Sequence, residues 1–198
     1  MIDIKQISNE APFDEFEKEF KLSLSLKQPL PQAACISSFN SKLQEVNSRF
    51  VNIKYVHERD FIFFSNYQSQ KARDFKESNK VSLVFFWSTT DTQIRIKGII
   101  SKTDKNLSDE HFKSRNREKN LLSICSDQSS VIESFERFLE KYNNSKHIDT
   151  SIRPNYWGGY SIRASYFEFW KGSELRLNKR KVFKLDEDGK WIKSYLQP

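Results

Sequence analysis

The chain of 198 residues has few of the residue types that mark disulfide-stapled or multidomain proteins, with two cysteines, five glycines and five prolines. Cys35 and Cys125 are too few for a disulfide framework or a metal-ligand cluster, and such cysteines are more often small buried side chains than catalysts. We therefore expect no metal site. No stretch rich in Pro, Gly or Ser divides the sequence, so we expect one domain spanning residues 1–198.

Long hydrophobic runs are also missing. The most apolar stretch, VSLVFFW at 81–87, is far too short to span a bilayer, and the N-terminus has neither the basic start nor the apolar run of a signal peptide. We expect a soluble, cytoplasmic protein without a membrane partner.

Basic and aromatic residues are abundant. The formal net charge is +7, which favours anionic partners such as phosphates, nucleic acid or acidic membrane surfaces. No recognisable nucleic-acid-binding motif is present, so we do not expect a nucleic-acid partner. The 17 phenylalanines indicate a core built on aromatic side chains.

The residue pattern predicts a mainly β protein with peripheral helices. Residues 10–27 are predicted as an N-terminal helix, with Pro12 in the first turn and Phe13, Phe16, Phe20 and Leu24 on one face. Short β-type runs separated by polar turns follow, and they predict antiparallel strands at 34–40, 49–56, 60–66, 81–87 and 92–100. The chain closes with a predicted hairpin over 181–196, turning at Asp188 and Gly189.

A predicted strand leads directly into a helix start at Ser69, the expected N-cap. Free backbone N–H groups there, beside Ser65, Ser69 and Lys71, would suit a phosphate. Ordinary capping explains the two serines almost as well.

Two further helices are predicted from capping signals. Ser108 would cap a helix over 108–119, on which His111, Arg115 and Lys119 recur every four residues as a basic stripe. Such a stripe suits an anion, although a solvated face is the commoner explanation. Ser130 and Glu133 form a capping box for a helix that starts after Asp127.

The stretch from 153 to 180 concentrates three of the five glycines and two of the four tryptophans. An apolar phase shift between Ala164 and Phe167 predicts a β-bulge or a new strand. Arg176, Asn178 and Arg180 alternate as on a strand, so their side chains would share a face. That face is either a ligand-facing edge or a solvated surface strand.

Several blocks, taken together, resemble the pyridoxamine 5'-phosphate oxidase family. They are RFVNIK, FFSNYQSQKA, VFFW followed by Gln93, HFKSR, DQSS, and YWGGY, EFWKG and RLNKR in that order from about Ala33 to the C-terminus. The resemblance implies an FMN-binding split β-barrel. It also implies a homodimer with FMN at the subunit interface, 153–198 serving as its dimer and active-site segment. The family oxidises pyridoxine or pyridoxamine 5'-phosphate, phosphorylated pyridines, to pyridoxal 5'-phosphate with oxygen as acceptor.

The same resemblance assigns site residues by position. The flavin would be held by Arg49, Phe50, Val51, Asn52, Ile53, Lys54, Phe64, Ser65, Gln70, Lys71, Gln93, Gln128 and Ser129, with Trp170 and Arg180 coming from the partner subunit. The substrate phosphate would lie among Lys54, His111, Arg115 and Lys119, and the pyridine ring would face Arg176, Leu177 and Asn178. Arg176 and Asn178 are the catalytic candidates, Arg176 being the one expected to contact the reacting substituent.

Four positions depart from the usual family pattern. Gln70 stands where arginine is common, His111 where tyrosine is usual, Lys119 where serine is usual and Asn178 where a histidine is found. These departures keep two alternatives open. One is an FMN oxidoreductase acting on another ring compound, as in the related phenazine-pathway oxidases. The other is a flavin- or pyridoxal-phosphate-binding protein without turnover.

Overall fold

The N-terminal helix packs its aromatic face onto the protein core. In the computed structural model, which describes the backbone of residues 1–198 and every side chain except that of Lys5, helix α1 spans Ala11–Ser25. Phe13, Phe16 and Phe20 are buried, as the apolar spacing predicted. Phe16 meets Phe61 edge to face with ring centres 5.0 Å apart, a favourable aromatic geometry.

One ten-stranded sheet forms the body of the protein. Its order is β1-β4-β5-β8-β7-β6-β2-β3, with β9 pairing β8 and β10 pairing β9, and every pairing except β1 with β4 is antiparallel. The strands are β1 Asp3–Ile7, β2 Ala33–Asn40, β3 Glu45–Asn52, β4 Tyr55–Glu58, β5 Asp60–Asn66, β6 Lys80–Trp87, β7 Thr92–Lys102, β8 Trp157–Lys171, β9 Lys179–Leu185 and β10 Trp191–Leu196.

The sheet is curled, because β3 and β4 lie near opposite ends of the strand order yet only Ile53 and Lys54 connect them. At this junction the Ile53 N–H donates to Gln32 and the Lys54 N–H to the Ile62 carbonyl. Residues 49–56, predicted as one strand, are therefore two strands. The prediction was wrong because the break comes from these long-range hydrogen bonds and not from a local breaker residue.

Two features of the C-terminal half were predicted correctly. The register between β7 and β8 shifts beside Ser165, so the bulge predicted between Ala164 and Phe167 is confirmed. The closing hairpin is also confirmed, with Gly189 at φ +77° in its turn, a conformation that glycine adopts without a steric penalty. Strand β1 was not predicted.

The single helix predicted over 108–119 is wrong. Helix α3 spans Lys105–Ser114 and is capped by Asp104, whose carboxylate accepts the Leu107 N–H. Helix α4 then spans Arg117–Cys125, and the side chain of its N-cap, Asn116, accepts the Lys119 N–H. Arg115 between them is extended, with ψ 153°. The Asp104 and Asn116 caps compete with a continuous helix and explain the break.

The last helix also starts later than predicted. Helix α5 spans Phe135–Asn144, and its N-cap is Ser134 rather than Ser130. Helix α2, at Gln70–Glu77, does have Ser69 at the N-cap position, but the Ser69 side chain makes no capping bond. It donates instead to the Asn66 carbonyl.

The strand predicted through Arg176, Asn178 and Arg180 is confirmed only at Arg180, on β9, and is wrong at Arg176 and Asn178. Residues 172–178 form a connection between β8 and β9, and Arg176 has φ +57°. The Asn178 side-chain oxygen accepts the Ser173 N–H across this connection. Alternating side chains were not enough to predict a strand over 172–178, because in the described structure no neighbouring strand pairs with those residues.

None of the helices described is long and apolar enough to cross a membrane.

Candidate ligand-binding site

A cavity of about 660 Å³ opens where the β3–β4 junction, the end of β5 and the break between α3 and α4 meet. Among the residues that the structure describes, those lining it include no aspartate or glutamate. The lining residues are Phe50, Val51, Asn52, Lys54, Phe64, Ser65, Asn66, Lys71, His111, Ser114, Arg115, Asn116, Lys119, Leu122, Ser123, Ser126, Gln128 and Trp157. A cavity with four cationic side chains and no anionic one suits an anionic ligand.

Arg115 is the most constrained of these cations. Its Nη2 donates to the Lys119 carbonyl at 2.9 Å and to the Ser123 hydroxyl at 3.0 Å, and the guanidinium lies 4.4 Å from the ring centre of Trp157. Burial lowers its pKa to about 10. The Nη1 atom is buried without a hydrogen-bond partner in the described structure. A buried cationic donor without an acceptor is costly, so an anion beside Nη1 would relieve that cost.

Lys54 belongs to the same group. Its pKa is lowered first by burial and then by the positive charges of Lys119 and Arg115. Three cations that repel one another around a half-buried space are stabilised when an anion binds among them. The predicted stripe of His111, Arg115 and Lys119 on one helix does not form. The helix breaks at Arg115 instead, and all three residues still line the cavity.

His111 lies beside this group, held by aromatic neighbours. Its Nδ1 is 2.8 Å from the Tyr55 hydroxyl, and its ring stacks on Phe64 with centres 3.7 Å apart. Burial, followed by the charges of Arg115 and Lys54, lowers its pKa to about 4. The imidazole is therefore neutral near pH 7.

A second polar group lies at the start of α2. The Lys71 ammonium donates to the hydroxyls of Ser65 at 3.2 Å and Ser69 at 3.3 Å, and the Gln128 side-chain oxygen accepts from Ser65 at 3.4 Å. Burial, then the charge of Arg49, lowers the pKa of Lys71 to about 8. Since Ser69 does not cap the helix, backbone donors of the first turn add to these side chains as anion-binding groups.

Seven residues assigned to the flavin do not line the cavity, and four of them have separate surroundings. Arg49 turns toward buried Asp74, with 3.1 Å between Nη2 and Oδ2, and also donates to Ser38. Ile53 is fully buried in the core, whereas the next residue, Lys54, lines the cavity. The other two are exposed: Gln70 donates to Asn47, and Ser129 lies against a separate depression beside α5.

Three other flavin candidates form a row on neighbouring strands. Gln93 on β7 lies opposite Trp170 on β8, which in turn lies opposite Arg180 on β9. Directly opposed residues share a face of the sheet, and here that face is opposite to buried Ile94. None of the three lines the cavity of its own chain. Exposed Phe86 extends the row on β6, opposite Gln93.

The substrate candidates in the connection 172–178 are also separate from the cavity. Arg176 and Leu177 are exposed, and Asn178 is half-buried and accepts the Ser173 N–H. Of the assigned residues, the structure thus brings eleven together at the cavity, namely Phe50, Val51, Asn52, Lys54, Phe64, Ser65, Lys71, His111, Arg115, Lys119 and Gln128.

The sequence reasoning missed Trp157, which contacts Arg115, and Tyr55, which contacts His111. Trp157 had a signal, since it lies in the YWGGY block. Tyr55 directly follows Lys54, but His111 is 56 residues away, so only folding reveals the pair. Also missed were the cavity-lining residues Asn66, Ser114, Asn116, Leu122, Ser123 and Ser126.

The curled sheet, with a cationic cavity at its junctions, defines the class of split-barrel proteins. Residues 26–142 match the family model described as pyridoxamine 5'-phosphate oxidase, and residues 157–198 match the pyridoxine 5'-phosphate oxidase C-terminal dimerisation region. The chain belongs to the pyridoxamine 5'-phosphate oxidase family.

Curated relatives agree with this assignment. A pyridoxine/pyridoxamine 5'-phosphate oxidase from Herminiimonas arsenicoxydans is 33% identical over 94% of this chain and 89% of the relative. One from Burkholderia lata is 35% identical over the same shares, 94% and 89%.

Solved structures share the fold. PhzG from Burkholderia lata, solved with tetrahydrophenazine-1-carboxylic acid, has a TM-score of 0.88 at 23% identity, covering 94% of this chain and 92% of its own. A pyridoxamine 5'-phosphate oxidase-related, FMN binding protein from Nostoc punctiforme has a TM-score of 0.78 at 11% identity, covering 96% and 99%. The protein is therefore a split β-barrel, mostly β with five helices, which confirms the mainly β class with peripheral helices and the split barrel that the resemblance implied.

Proposed function

We propose that this protein is an FMN-dependent oxidase that converts pyridoxine or pyridoxamine 5'-phosphate to pyridoxal 5'-phosphate with oxygen as the electron acceptor. The observation that carries the proposal is the division of the cavity's cations into two groups. The charges of Lys119 and Arg115, after burial, lower the pKa of Lys54, whereas Lys71 lies apart, against the hydroxyls of Ser65 and Ser69. Two cationic groups in one cavity suit two phosphates, one from a cofactor and one from a substrate.

The residues at the start of α2 fit the phosphate of FMN. Lys71, Ser65 and the first-turn N–H groups supply donors, and Gln128 closes the same corner of the cavity. A cavity of about 660 Å³ lies within the range of small-molecule sites. Phe50, Val51, Asn52 and Lys54 would hold the rest of the flavin. Bound FMN would accept the two electrons that the substrate loses and pass them to oxygen.

The second group would hold the substrate phosphate. Arg115 would donate from its unpaired Nη1, while Lys54 and Lys119 would contribute positive charge. In the net reaction the alcohol carbon of pyridoxine phosphate loses two electrons and two protons to become an aldehyde, and oxygen becomes hydrogen peroxide. Pyridoxamine phosphate would give the same aldehyde after water displaces ammonia from the oxidised carbon. The chain would supply position and charge, with no protein nucleophile.

A second copy of the chain would complete the site. The match of 157–198 to a dimerisation region supports a homodimer, and so do Phe50 and Phe86, which are 76% and 57% exposed. We propose that FMN lies at the interface, with Trp170 and Arg180 reaching it from the partner. Arg176, Leu177 and Asn178 would reach the pyridine ring, with Arg176 nearest the reacting substituent.

The test is turnover by purified protein reconstituted with FMN. We expect stoichiometric pyridoxal 5'-phosphate and peroxide from at least one phosphorylated vitamer, and bleaching of the flavin absorbance when the vitamer is added without oxygen. Arg115→Met should retain flavin and lose most activity, whereas Lys113→Ala, which removes an exposed charge from the last turn of α3, should behave like the wild type. Absence of product from both vitamers would overturn the proposal.

A second candidate is an FMN oxidoreductase acting on another ring compound. It is favoured by Asn178, whose amide cannot act as an acid or a base near neutral pH and whose oxygen here accepts the Ser173 N–H. The same assay run with a reduced phenazine carboxylate would distinguish the two. Oxidation of that compound without oxidation of either vitamer would favour this second candidate.

A further inference from the structure

The contact between Tyr55 and His111 joins two elements of the cavity wall. Tyr55 is the first residue of β4, directly after Lys54, and His111 lies in the last turn of α3. Their rings meet edge to face at 5.5 Å, while Phe64 stacks on a face of the imidazole at 3.7 Å. These two aromatic contacts leave the imidazole little rotational freedom.

The chemistry of this contact leaves one imidazole nitrogen for a ligand. Nδ1 lies 2.8 Å from the Tyr55 oxygen. Because His111 lines the cavity, Nε2 is the nitrogen that remains to hydrogen-bond a ligand there. A neutral imidazole carries one proton, on either nitrogen, and the hydrogen bond made by one nitrogen decides what the other can do. A phenol can donate to Nδ1, which places the proton on Nε2.

The surroundings favour that arrangement. The charged groups around the ring are Lys54 from the β3–β4 junction and Arg115 from the α3–α4 break, with Lys119 beyond them. Their repulsion, together with burial, disfavours a second proton on the ring. An anion attracted by the same cations needs donors around it, and an Nε2–H would be one.

We propose that Tyr55 is a positioning residue that donates its hydroxyl proton to Nδ1 of His111 and so holds the neutral imidazole as an Nε2–H donor to the substrate's phosphate. The proposal rests on the proposed function only in taking a phosphorylated ligand to enter the cavity. His111 touches the ligand, and Tyr55 acts through His111.

The tautomer can be read without any turnover. Nitrogen-15 NMR of histidine-labelled protein, with the His111 signals assigned by their loss in His111→Gln, should show Nε2 bearing a proton and Nδ1 accepting a hydrogen bond. The signals should remain those of a neutral ring down to about pH 5, well below the usual histidine pKa. A proton on Nδ1 would overturn the proposal whether or not the protein oxidises either vitamer.

Binding of inorganic phosphate and of pyridoxal 5'-phosphate tests the functional part. Tyr55→Phe should weaken the affinity for each of these ligands by about five-fold, the effect of one misdirected neutral hydrogen bond. In turnover, the same variant should raise KM more than it lowers kcat. His111→Gln, which keeps a neutral donor, should bind better than His111→Phe.

The double variant decides whether Tyr55 acts through His111. In the His111→Gln background, Tyr55→Phe should have no further effect on phosphate affinity. An equal loss in both backgrounds would show that Tyr55 acts independently and would overturn the proposal. Circular dichroism and melting temperature check the fold of each variant, and the wild-type NMR result stands alone if Tyr55→Phe does not fold.

Discussion

Arg180 binds the buried carboxylate of Glu168 through both Nε and Nη2, at 2.9 and 2.8 Å. Arg95 donates to the other carboxylate oxygen at 2.9 Å, and Glu168 itself is only 2% exposed. The carboxylate therefore ties together β7, β8 and β9, which carry the row of Gln93, Trp170 and Arg180. Two charge-assisted hydrogen bonds from the Arg180 guanidinium to the same oxygen, Oε1, fix the orientation of Arg180 before any ligand or partner arrives.

The first prediction concerns the stability of this network. Glu168→Gln should lower the free energy of unfolding by about 3 kcal/mol, because it leaves two partly buried guanidinium groups without their counter-charge. Urea denaturation of the flavin-free protein measures the change. Glu174→Gln, an exposed carboxylate in the next connection, is the matched control and should be neutral. Equal stability of Glu168→Gln and wild type would contradict the structural role.

The second prediction concerns phosphate recognition by Arg115. Arg115→Met should weaken binding of pyridoxal 5'-phosphate by roughly 10- to 100-fold, because a charge-assisted hydrogen bond is lost from a site with an unpaired buried donor. Isothermal titration calorimetry measures the affinity of each variant for pyridoxal 5'-phosphate. The loss should be absent for unphosphorylated pyridoxal, since the contact is to the phosphate. A similar loss with both ligands would assign Arg115 to the ring instead.

The third prediction uses the low pKa of Lys71, about 8, which burial and Arg49 cause. Affinity for FMN should fall as pH rises through about 8, because Lys71 of the free protein then loses its proton and its charge. Lys71→Arg keeps its charge over this range and should bind FMN with a flatter pH profile. Fluorescence quenching of FMN on binding provides the measurement.

The same depressed pKa has the opposite effect on the stability of the ligand-free protein. Below about pH 8 Lys71 is charged in both states and the buried charge penalises the fold. Between about 8 and the ordinary lysine pKa the unfolded chain binds more protons, so stability rises with pH. Lys71→Met should remove this rise, and an unchanged pH slope in that variant would disprove the assignment.

The fourth prediction concerns close packing at Gly158. A Cβ added there would overlap the Tyr67 hydroxyl oxygen and would lie 2.8 Å from Tyr67 Cζ and 3.0 Å from the Ser108 hydroxyl, closer than van der Waals contact allows. Gly158→Ala should therefore cost about 1 to 3 kcal/mol through overpacking. Tyr67→Phe removes the nearest atom, so the double variant should lose less stability than the sum of the two single variants in thermal melts. Strict additivity would show that the clash is absent.

The fifth prediction tests the proposed partner surface. Phe86→Glu should shift the protein toward a monomer in sedimentation velocity and weaken FMN binding, since it places a charge beside Gln93 on the exposed face. Leu26→Glu, at another exposed apolar position just after α1, is the control and should leave both properties unchanged. A dimer that persists in Phe86→Glu with full FMN affinity would exclude this face as the interface.

Local signals in the sequence predicted much of the fold. The helical spacing of Phe13, Phe16 and Phe20 predicted the buried face of α1, and alternation predicted most central strands. The phase shift after Ala164 predicted the bulge in β8. These features depend on the periodicity of apolar side chains, which can be read directly from neighbouring residues in the sequence.

Predictions failed where a local pattern competed with a partner far away in the chain. Ser108 resembled a helix cap, but its hydroxyl contacts Thr103 and accepts the Gly159 N–H, while Asp104 caps the helix. Arg176 and Asn178 alternated like strand residues, yet no strand pairs with them in the described structure. A cap or a strand forms only if its hydrogen-bond partners are in place.

The sequence by itself determined the family, the order of most elements and the basic residues available for a phosphate. Only the tertiary structure decided which of them meet: Lys54, Arg115 and Lys119 converge at a chain junction and a helix break, whereas Arg49 is drawn away by Asp74. It also paired Tyr55 with His111 across 56 residues. The physical reason is that charge and hydrogen-bonding capacity belong to single residues, but desolvation and direction arise only when distant segments pack together.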